Sequence, residues 1–347
     1  MSRSQPMSLS PLKIASELPS PDPALIAAAR ATASTRAEHD RLAATIPALS
    51  TIELVPPPHP APVHDKITIA AFNVERGNHP DTVARLIAGA GVDVALLTEL
   101  DIGMARSGNR HTPREIARHL GAGYVFAVEF VELGLGDSRE RAWHAGKQNE
   151  IALHGAAIVS RCRLADPARI ALDEGGLWFD GVRNGERRIG SRMAVAARLA
   201  DAAQSLWFAS VHLESHSDPQ NRARQIEWLV RGLDRLAGGG PAVIGGDLNT
   251  NKLPRDPGTL AALMDDPSSI EPLFKVFRTA GFDWRRVNTD EVTQRTRPDG
   301  TPKPPFNRID WLAVRGVAGA NARTVAAVNG VGQAISDHDM IVADIIP

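Results

Sequence analysis

The acidic, asparagine and histidine residues of this chain recur in one setting, the end of an apolar run. Phe72-Asn73-Val74-Glu75 closes a run that starts at Ile67, and Thr98-Glu99 closes a second. Ser210-Val211-His212 ends another, and Gly245-Gly246-Asp247-Leu248-Asn249 follows the run from Ala242. Arg308-Ile309-Asp310 and Ser336-Asp337-His338 complete the pattern near the C-terminal end. Taken singly, each has a plain structural account. Glu99 reads as a solvated loop residue, His212 as a satisfied core imidazole, and Asp247 and Asn249 as turn formers. Their repetition at strand ends is harder to explain by turn chemistry. Carboxylates are seldom buried unless they are paired or bind metal. Ligand sites in layered α/β proteins form where strand ends converge and loops leave the sheet. Several carboxylates with an asparagine amide and no cysteine cluster make a hard, oxygen-rich donor set, suited to Mg²⁺ or Mn²⁺ rather than zinc. Histidines beside such a set can move protons or offset charge that develops on a phosphate.

Strands must hold these residues, and the chain supplies them from about Lys66 onward. Ile67 to Val74, Val92 to Thr98, Tyr124 to Val131, Ala156 to Ser160, Met193 to Leu199, Leu206 to Leu213, Ala242 to Gly245, Ile309 to Val314 and Met340 to Ile346 are apolar and strand-like. Between them, His79 to Ala90 carries Val83, Leu86 and Ile87 at helical spacing. Thr112-Pro113-Arg114-Glu115 spells a capping box that opens a further helix. Asn221 to Leu236 places Ile226, Leu229, Val230 and Leu233 on one face, before Gly238-Gly239-Gly240-Pro241 stops it. Many strands with interspersed helices and no internal repeat imply an α/β or α+β sandwich. Gly134 to Glu150 and Arg286 to Asn307 are polar and read as long loops, either functional or plain surface segments; the second carries Arg295, Arg297 and Lys303.

Residues 1–65 read as an N-terminal extension, with the catalytic domain at 66–347. The first 22 or so residues are rich in Ser and Pro and are expected to be disordered. Between Asp22 and Ile46, Leu25, Ile26, Ala29, Leu42 and Ile46 can form one apolar helical stripe. The proline-rich Val55 to His64 excludes a regular helix or central strand and reads as an extended linker.

Bulk properties narrow the class. The 347 residues are 43% hydrophobic and 23% charged, ordinary values for a globular protein with a real core. The formal net charge of -1 lacks the strong basic footprint of a dedicated nucleic-acid binder, although a local patch remains open. Cys162 is the single cysteine, so neither an intramolecular disulfide nor a cysteine-rich zinc site can form. That fits a reducing compartment. No stretch approaches the length of a transmembrane helix, and the opening residues lack an apolar signal-peptide core. The expected location is the cytoplasm, and no protein partner is implied.

In order along the chain, FNVERG, LLTELD, SVHLES, GGDLNT, RIDWL and SDHD resemble the motif series of the endonuclease/exonuclease/phosphatase superfamily, which has the deoxyribonuclease I-like fold. The resemblance runs from about Lys66 to Pro347. HGAAIVSR also resembles the family's central strand, with Ala156 where an asparagine is common. The implied fold is a four-layer α/β/β/α sandwich of two packed mixed sheets. The implied cofactor is Mg²⁺ or Mn²⁺, with Glu99 as main ligand and Asn73, Glu75 and Asp337 near the ion. By the same resemblance, Asp247 orients or deprotonates the attacking water, and Asn249 holds that water or a phosphate oxygen. His338 pairs with Asp310, and His212 binds the phosphate or protonates the leaving oxygen. Which histidine is acid and which is base stays open. The implied reaction is in-line attack of water on phosphorus.

The substrate is less marked. Phe306-Asn307-Arg308-Ile309-Asp310 departs from the segment typical of inositol polyphosphate 5-phosphatases, which argues against inositol phosphates. Aromatic residues make up 5%, and no basic, aromatic-interleaved groove is evident. The favoured reading is a phosphodiesterase acting on nucleic acid or a lipid headgroup. A phosphomonoesterase acting on a small metabolite and a non-catalytic phosphate-binding module are the alternatives. The amphipathic N-terminal segment can touch a lipid surface or, more simply, dock on its own domain.

Overall fold

The computed structural model describes residues 12–181, 185–297 and 299–347. Two mixed β-sheets pack face to face, and helices cover both outer faces. Among the described residues the larger sheet has nine strands. Their order is Lys13–Ala15, Thr51–Val55, Gly123–Glu132, Leu153–Ser160, Val94–Ile102, Ile67–Asn73, Met340–Ile346 and Ala318–Val325, with Arg188–Gly190 also pairing Gly123–Glu132. The second sheet runs Asp310–Arg315, Ala242–Asp247, Trp207–His212, Met193–Leu199 and Leu164–Ala171. This is the four-layer α/β/β/α sandwich expected from the sequence.

The period of two along each strand explains the layering. Ile67, Ile69 and Ala71 point between the sheets, where they meet Phe208, Val243 and Leu312. Ala70 and Phe72 point outward to the helix-side cluster with Val83, Ile87 and Ile116. On the second sheet, Trp207, Ala209 and Val211 face outward to Ile226, Leu229 and Leu233 of the helix Pro219–Ala237. The strands read as continuous apolar runs because both faces are buried.

Three local expectations are revised. The helix expected to open on a Thr112 capping box runs Thr112–Leu120, but His111 is its cap: the His111 ring accepts from Arg114 N at 3.3 Å. The Thr112 hydroxyl donates instead to the carbonyl oxygen of Asp101 at 2.9 Å, a tertiary demand on the side chain that would have capped. The single helical stripe between Asp22 and Ile46 is two helices, Pro23–Ala31 and Arg36–Thr45, each with its own N-cap. Within the expected loops lie a short helix, Ser138–Trp143, and a hairpin of Gln294–Thr296 with Pro302–Asn307. The Asp137–Glu140 capping box nucleates the first of these.

Residues 12–55 are built into the larger sheet and its outer layer. Thr51–Val55 pairs antiparallel with Gly123–Glu132, and Lys13–Ala15 adds a parallel edge strand to it. The disorder expected over the first 22 residues therefore does not extend to 13–15; the stretch through residue 11 lies outside the described residues. Ile26, Ala29, Leu42 and Ile46 are buried in the same apolar cluster as Phe72 and Phe126. Truncating one such leucine to alanine costs about 2–5 kcal/mol. The proline-rich residues 56–65 contain neither helix nor strand.

Candidate active site

Strand register places the second-sheet residues. His212 is the register partner of Asp247 across the parallel pair, and Asp247 is the partner of Asp310 across the antiparallel pair. Three adjacent strands thus present His212, Asp247 and Asp310 side by side at one end of the sheet. Two glycines make this packing fit. A Cβ at Gly246 (φ +143°) would lie 2.0 Å from the Val211 carbonyl oxygen, and one at Gly245 would lie 2.7 Å from Leu312 and 2.8 Å from Leu96 of the facing sheet. Gly245 therefore lets the two sheets approach where the site forms.

The larger sheet contributes the opposite side. Asn73 ends its strand fully buried, and Glu99 sits in a register shift between Leu97 and Leu100. Glu75, Arg76, Glu99 and Asn249 all adopt positive φ, between 45° and 66°. For residues other than Gly and Asn this conformation costs about 1–2 kcal/mol each, and such outliers gather at functional sites. Asp337 and His338 precede the strand Met340–Ile346, which lies beside Ile67–Asn73. Ser336 fixes that approach: its hydroxyl donates to Asn73 O at 2.7 Å and accepts from His338 N at 3.1 Å.

All nine residues singled out from the sequence come together: Glu99, His212, Asp247, Asn249, Asp337 and His338 line one cleft, Glu75 lines an adjoining cavity, and Asn73 and Asp310 are buried in contact with them. The Asn73 amide donates to Glu99 Oε1 at 3.1 Å and to Asp247 Oδ2 at 3.2 Å, linking the two sheets. Its Oδ1 accepts from Glu75 N, and Glu75 Oε2 accepts from Asp337 N at 3.0 Å. Asp247 Oδ1 accepts from Asn249 N at 2.9 Å, while the Asn249 amide donates to Leu213 O. His338 Nδ1 lies 2.8 Å from Asp310 Oδ2, and Asp310 is further held by the Thr293 hydroxyl. His338 Nε2 faces Asp247 Oδ2 at 3.8 Å, and His212 Nε2 faces the same oxygen at 3.5 Å.

Charge divides the residues into contrasting groups. Burial alone would lower the His338 pKa, but the surrounding Asp310, Asp337 and Asp247 carboxylates hold it well above the ordinary histidine range. Burial and the nearby Arg192 charge push His212 well below that range, and its Nδ1 has no hydrogen-bond partner. Burial, then the Asp310 charge, raises Asp247 to about 7. Burial with Asp337 and Glu99 raises Glu75 to about 9, and burial raises Asp337 too. Glu99 is held far down against its burial by Arg76.

Glu75, Glu99 and Asp337 therefore form a crowded carboxylate set that a divalent cation would relieve, and their hard oxygens suit Mg²⁺ or Mn²⁺. A tighter cluster lies beside them. Among the described residues, Asp247, Asp310 and His338 form the one His/Cys/Asp/Glu group whose donor atoms all lie within 4.8 Å of one another. These are residues the resemblance gives to proton handling. Their closeness is accounted for by the His338–Asp310 hydrogen bond and the adjacent strand ends.

Several cleft residues had no place in the motif reading. The Arg76 guanidinium bridges Glu99 and Glu140. Arg106 joins Glu140 to Asp101, which in turn contacts His154 Nδ1 at 2.7 Å. A cavity of ≈ 380 Å³ runs from Glu99, His212, Asp247 and His338 to a wall that includes His154, Trp178 and Arg192. A second, of ≈ 340 Å³, shares Arg76, Glu99 and Asp337 and extends toward Arg139, Trp143 and Arg297. Arg76 and His154 lie inside motifs already noted, FNVERG and HGAAIVSR. Trp178 and Arg192 sit in no recognisable pattern.

Layered sheets with a carboxylate-rich, histidine-flanked cleft at their strand ends define an enzyme-like α/β sandwich suited to phosphate chemistry. A family model described as "Endonuclease/Exonuclease/phosphatase family" matches residues 70–338. The chain belongs to that family, whose named activities all cleave phosphoester bonds. Among solved structures it is similar to an endonuclease/exonuclease/phosphatase from Beutenbergia cavernae (15% identity, 81% of this chain and 71% of that one, TM-score 0.54). It is also similar to one from Bacteroides vulgatus (16%, 81% and 98%, TM-score 0.52) and to the human Nocturnin catalytic domain with bound sulfate (16%, 82% and 96%, TM-score 0.51). No curated protein matches the chain.

Proposed function

We propose that the protein is a divalent-metal-dependent phosphodiesterase that uses water as nucleophile. The observation that carries the reading is the pair of oppositely tuned imidazoles on either side of Asp247. His338, tied to Asp310, keeps its proton and can stabilise charge on a phosphate oxygen. His212, held neutral, can accept or relay one. Asp247, raised to about 7, sits between them as a carboxylate poised to orient water and take its proton near neutral pH. Asn249, close by, can hold that water or a phosphate oxygen. Glu99, with Glu75, Asp337 and Asn73, would hold Mg²⁺ or Mn²⁺. When bound, the ion supplies Lewis-acid stabilisation of the phosphoryl oxygens.

A diester is favoured over a monoester because cavities open on both sides of Glu99 and Asp337, giving room for two ester substituents. The substrate would be a nucleic acid or lipid phosphodiester. Cys162 is buried and free, which suits the reducing cytoplasm. No described helix is long and apolar enough to cross a membrane.

The test is hydrolysis of plasmid DNA, single-stranded RNA, sphingomyelin, bis(p-nitrophenyl) phosphate and p-nitrophenyl phosphate, with and without Mg²⁺ or Mn²⁺. Metal-dependent cleavage of a diester, lost in His338→Ala, is expected. Turnover of p-nitrophenyl phosphate alone would favour a monoesterase, and phosphate binding without any turnover would favour a binding module.

A further inference from the structure

The wall of the larger cavity is held from outside the family-matched region, which begins at residue 70. On the cleft side, the Trp178 indole N–H donates to Glu214 Oε2 at 3.0 Å, and Arg192 Nε donates to the same oxygen at 3.2 Å. The Arg192 guanidinium lies 5.0 Å from the Trp178 ring centre and also donates to Glu129 at 2.6 Å. The next residue, Phe179, points the other way, into the apolar cluster with Ile26, Ala29 and Leu42.

The N-terminal helices and this wall hold each other through backbone groups. His39 is 3% exposed. Its Nδ1 lies 2.9 Å from Asp40 Oδ1 and its Nε2 3.1 Å from both Gly190 N and Gly190 O. With the proton on Nδ1, the ring donates to Asp40 and accepts from Gly190. Arg187 donates to Arg30 O at 2.9 Å, Thr32 O at 3.1 Å and Phe179 O at 3.0 Å. Arg36 donates to Glu174 O at 2.6 Å. A Cβ on Gly175 or Gly176, both at positive φ, would come within 3.2 Å of the His39 ring. His39 and Arg36 bond main-chain atoms of the wall segment, and Arg187 of that segment bonds main-chain atoms of Arg30 and Thr32, so these contacts fix where the wall lies rather than its chemistry.

We propose that residues 23–45 are a specificity element of the enzyme: they set the position of the Trp178–Arg192 wall, against which the non-reacting part of the substrate binds. His39 on this element and Arg187 on the wall segment are the positioning residues. The substrate part rests on the phosphodiesterase reading above; the positioning part does not.

The chain has six tryptophans, so indole N–H signals of ¹⁵N-tryptophan-labelled full-length protein report the wall directly, with Trp178→Phe for assignment. In His39→Ala and Arg187→Ala the Trp178 signal is expected to move, while those of Trp284 and Trp311 stay in place. His39→Gln, whose amide oxygen can accept from Gly190, is expected to restore it. For bis(p-nitrophenyl) phosphate, KM is expected to rise roughly fivefold in His39→Ala, with the effect falling on KM more than on kcat, the sign of lost uniform binding. An unmoved Trp178 signal in both alanine variants, or a lowered Tm with an unchanged KM, would overturn the proposal. If the wild-type protein hydrolyses no phosphoester, the phosphodiesterase reading fails, and the indole signals still decide whether the helices position the wall.

Discussion

The two sheets furnish the cleft by different means. The second sheet delivers His212, Asp247 and Asp310 through plain strand register, as direct partners on neighbouring strands. The larger sheet delivers Glu75 and Glu99 through distortion, with positive φ at both and a register shift around Glu99. The charges differ in the same way. On the second-sheet side the Asp310 carboxylate faces the His338 imidazole, which comes from the larger sheet, and helps hold that ring's pKa up. On the larger-sheet side Glu75, Glu99 and Asp337 crowd one another, with Arg76 as the nearby counter-charge. Regular register suffices on the second sheet, although it sets the Asp310 carboxylate beside that of Asp247. Positive φ gathers at Glu75, Arg76 and Glu99, where the larger-sheet carboxylates crowd, and recurs at Asn249 on the other side.

Removing the cation should break this comparison most completely. EDTA is expected to take phosphodiester hydrolysis to background, and Mg²⁺ or Mn²⁺ to restore it. Mn²⁺ binding, followed by electron paramagnetic resonance, should weaken sharply in Glu99→Gln. Activity that survives thorough chelation would deny the larger-sheet side its metal role.

Next in size are His338→Ala and Asp247→Ala, each expected to lower kcat by about 10²–10⁴-fold, the range for a lost general acid or base. Circular dichroism should show both variants folded. Near-normal turnover in either would end the role given to that residue. Asp310→Asn sharpens the same side, with an expected loss of about 10–100-fold, typical of a residue that orients another. It removes a charge that raises His338, so the His338 pKa falls. If the protonated ring is required, the alkaline limb of the kcat/KM profile moves to lower pH. An unmoved limb would mean that Asp310 does not govern that imidazole.

The smallest effect concerns stability. Burial holds His154 down to about 4, against an ordinary histidine value of about 6.5. The unfolded chain therefore takes up a proton between those values that the folded protein refuses, and folding weakens as pH falls from 6.5 toward 4. At pH 5 this costs about 2 kcal/mol. The difference in urea midpoint between pH 7 and pH 5 should shrink in His154→Gln. An equal difference in the variant would show that another group sets the acid sensitivity.

Much of this site is legible along the chain because it lies at the ends of apolar runs, and a run of that kind declares both a buried strand and its terminus. His212, Asp247 and Asp310 are examples: once the strands are read, these residues must stand at sheet ends. The short helix at Ser138–Trp143 is a different case. Its Asp137-to-Glu140 capping box is spelled in the sequence, yet the segment's polarity outweighed it and suggested a loop. The cap of the next-door helix failed for another reason. Thr112 is the better capping residue by type, but a hydrogen bond to the Asp101 backbone takes its hydroxyl away. Residues 12–55 look separable in sequence because prolines follow them, whereas the strand Thr51–Val55 joins the same sheet before those prolines occur.

By itself, then, the sequence determines the family, the strand-rich layered architecture and the residue types that meet in the cleft, since local periodicity and motif order carry that information. Tertiary structure alone decides that Arg76 lies between Glu99 and Glu140, that His338 and His212 have opposite protonation tendencies, and that Trp178 and Arg192 form a wall held by His39. Each of these depends on which groups, distant along the chain, are brought together away from water. Burial and neighbouring charge set the energy of a titratable group, and neither is written in its immediate sequence.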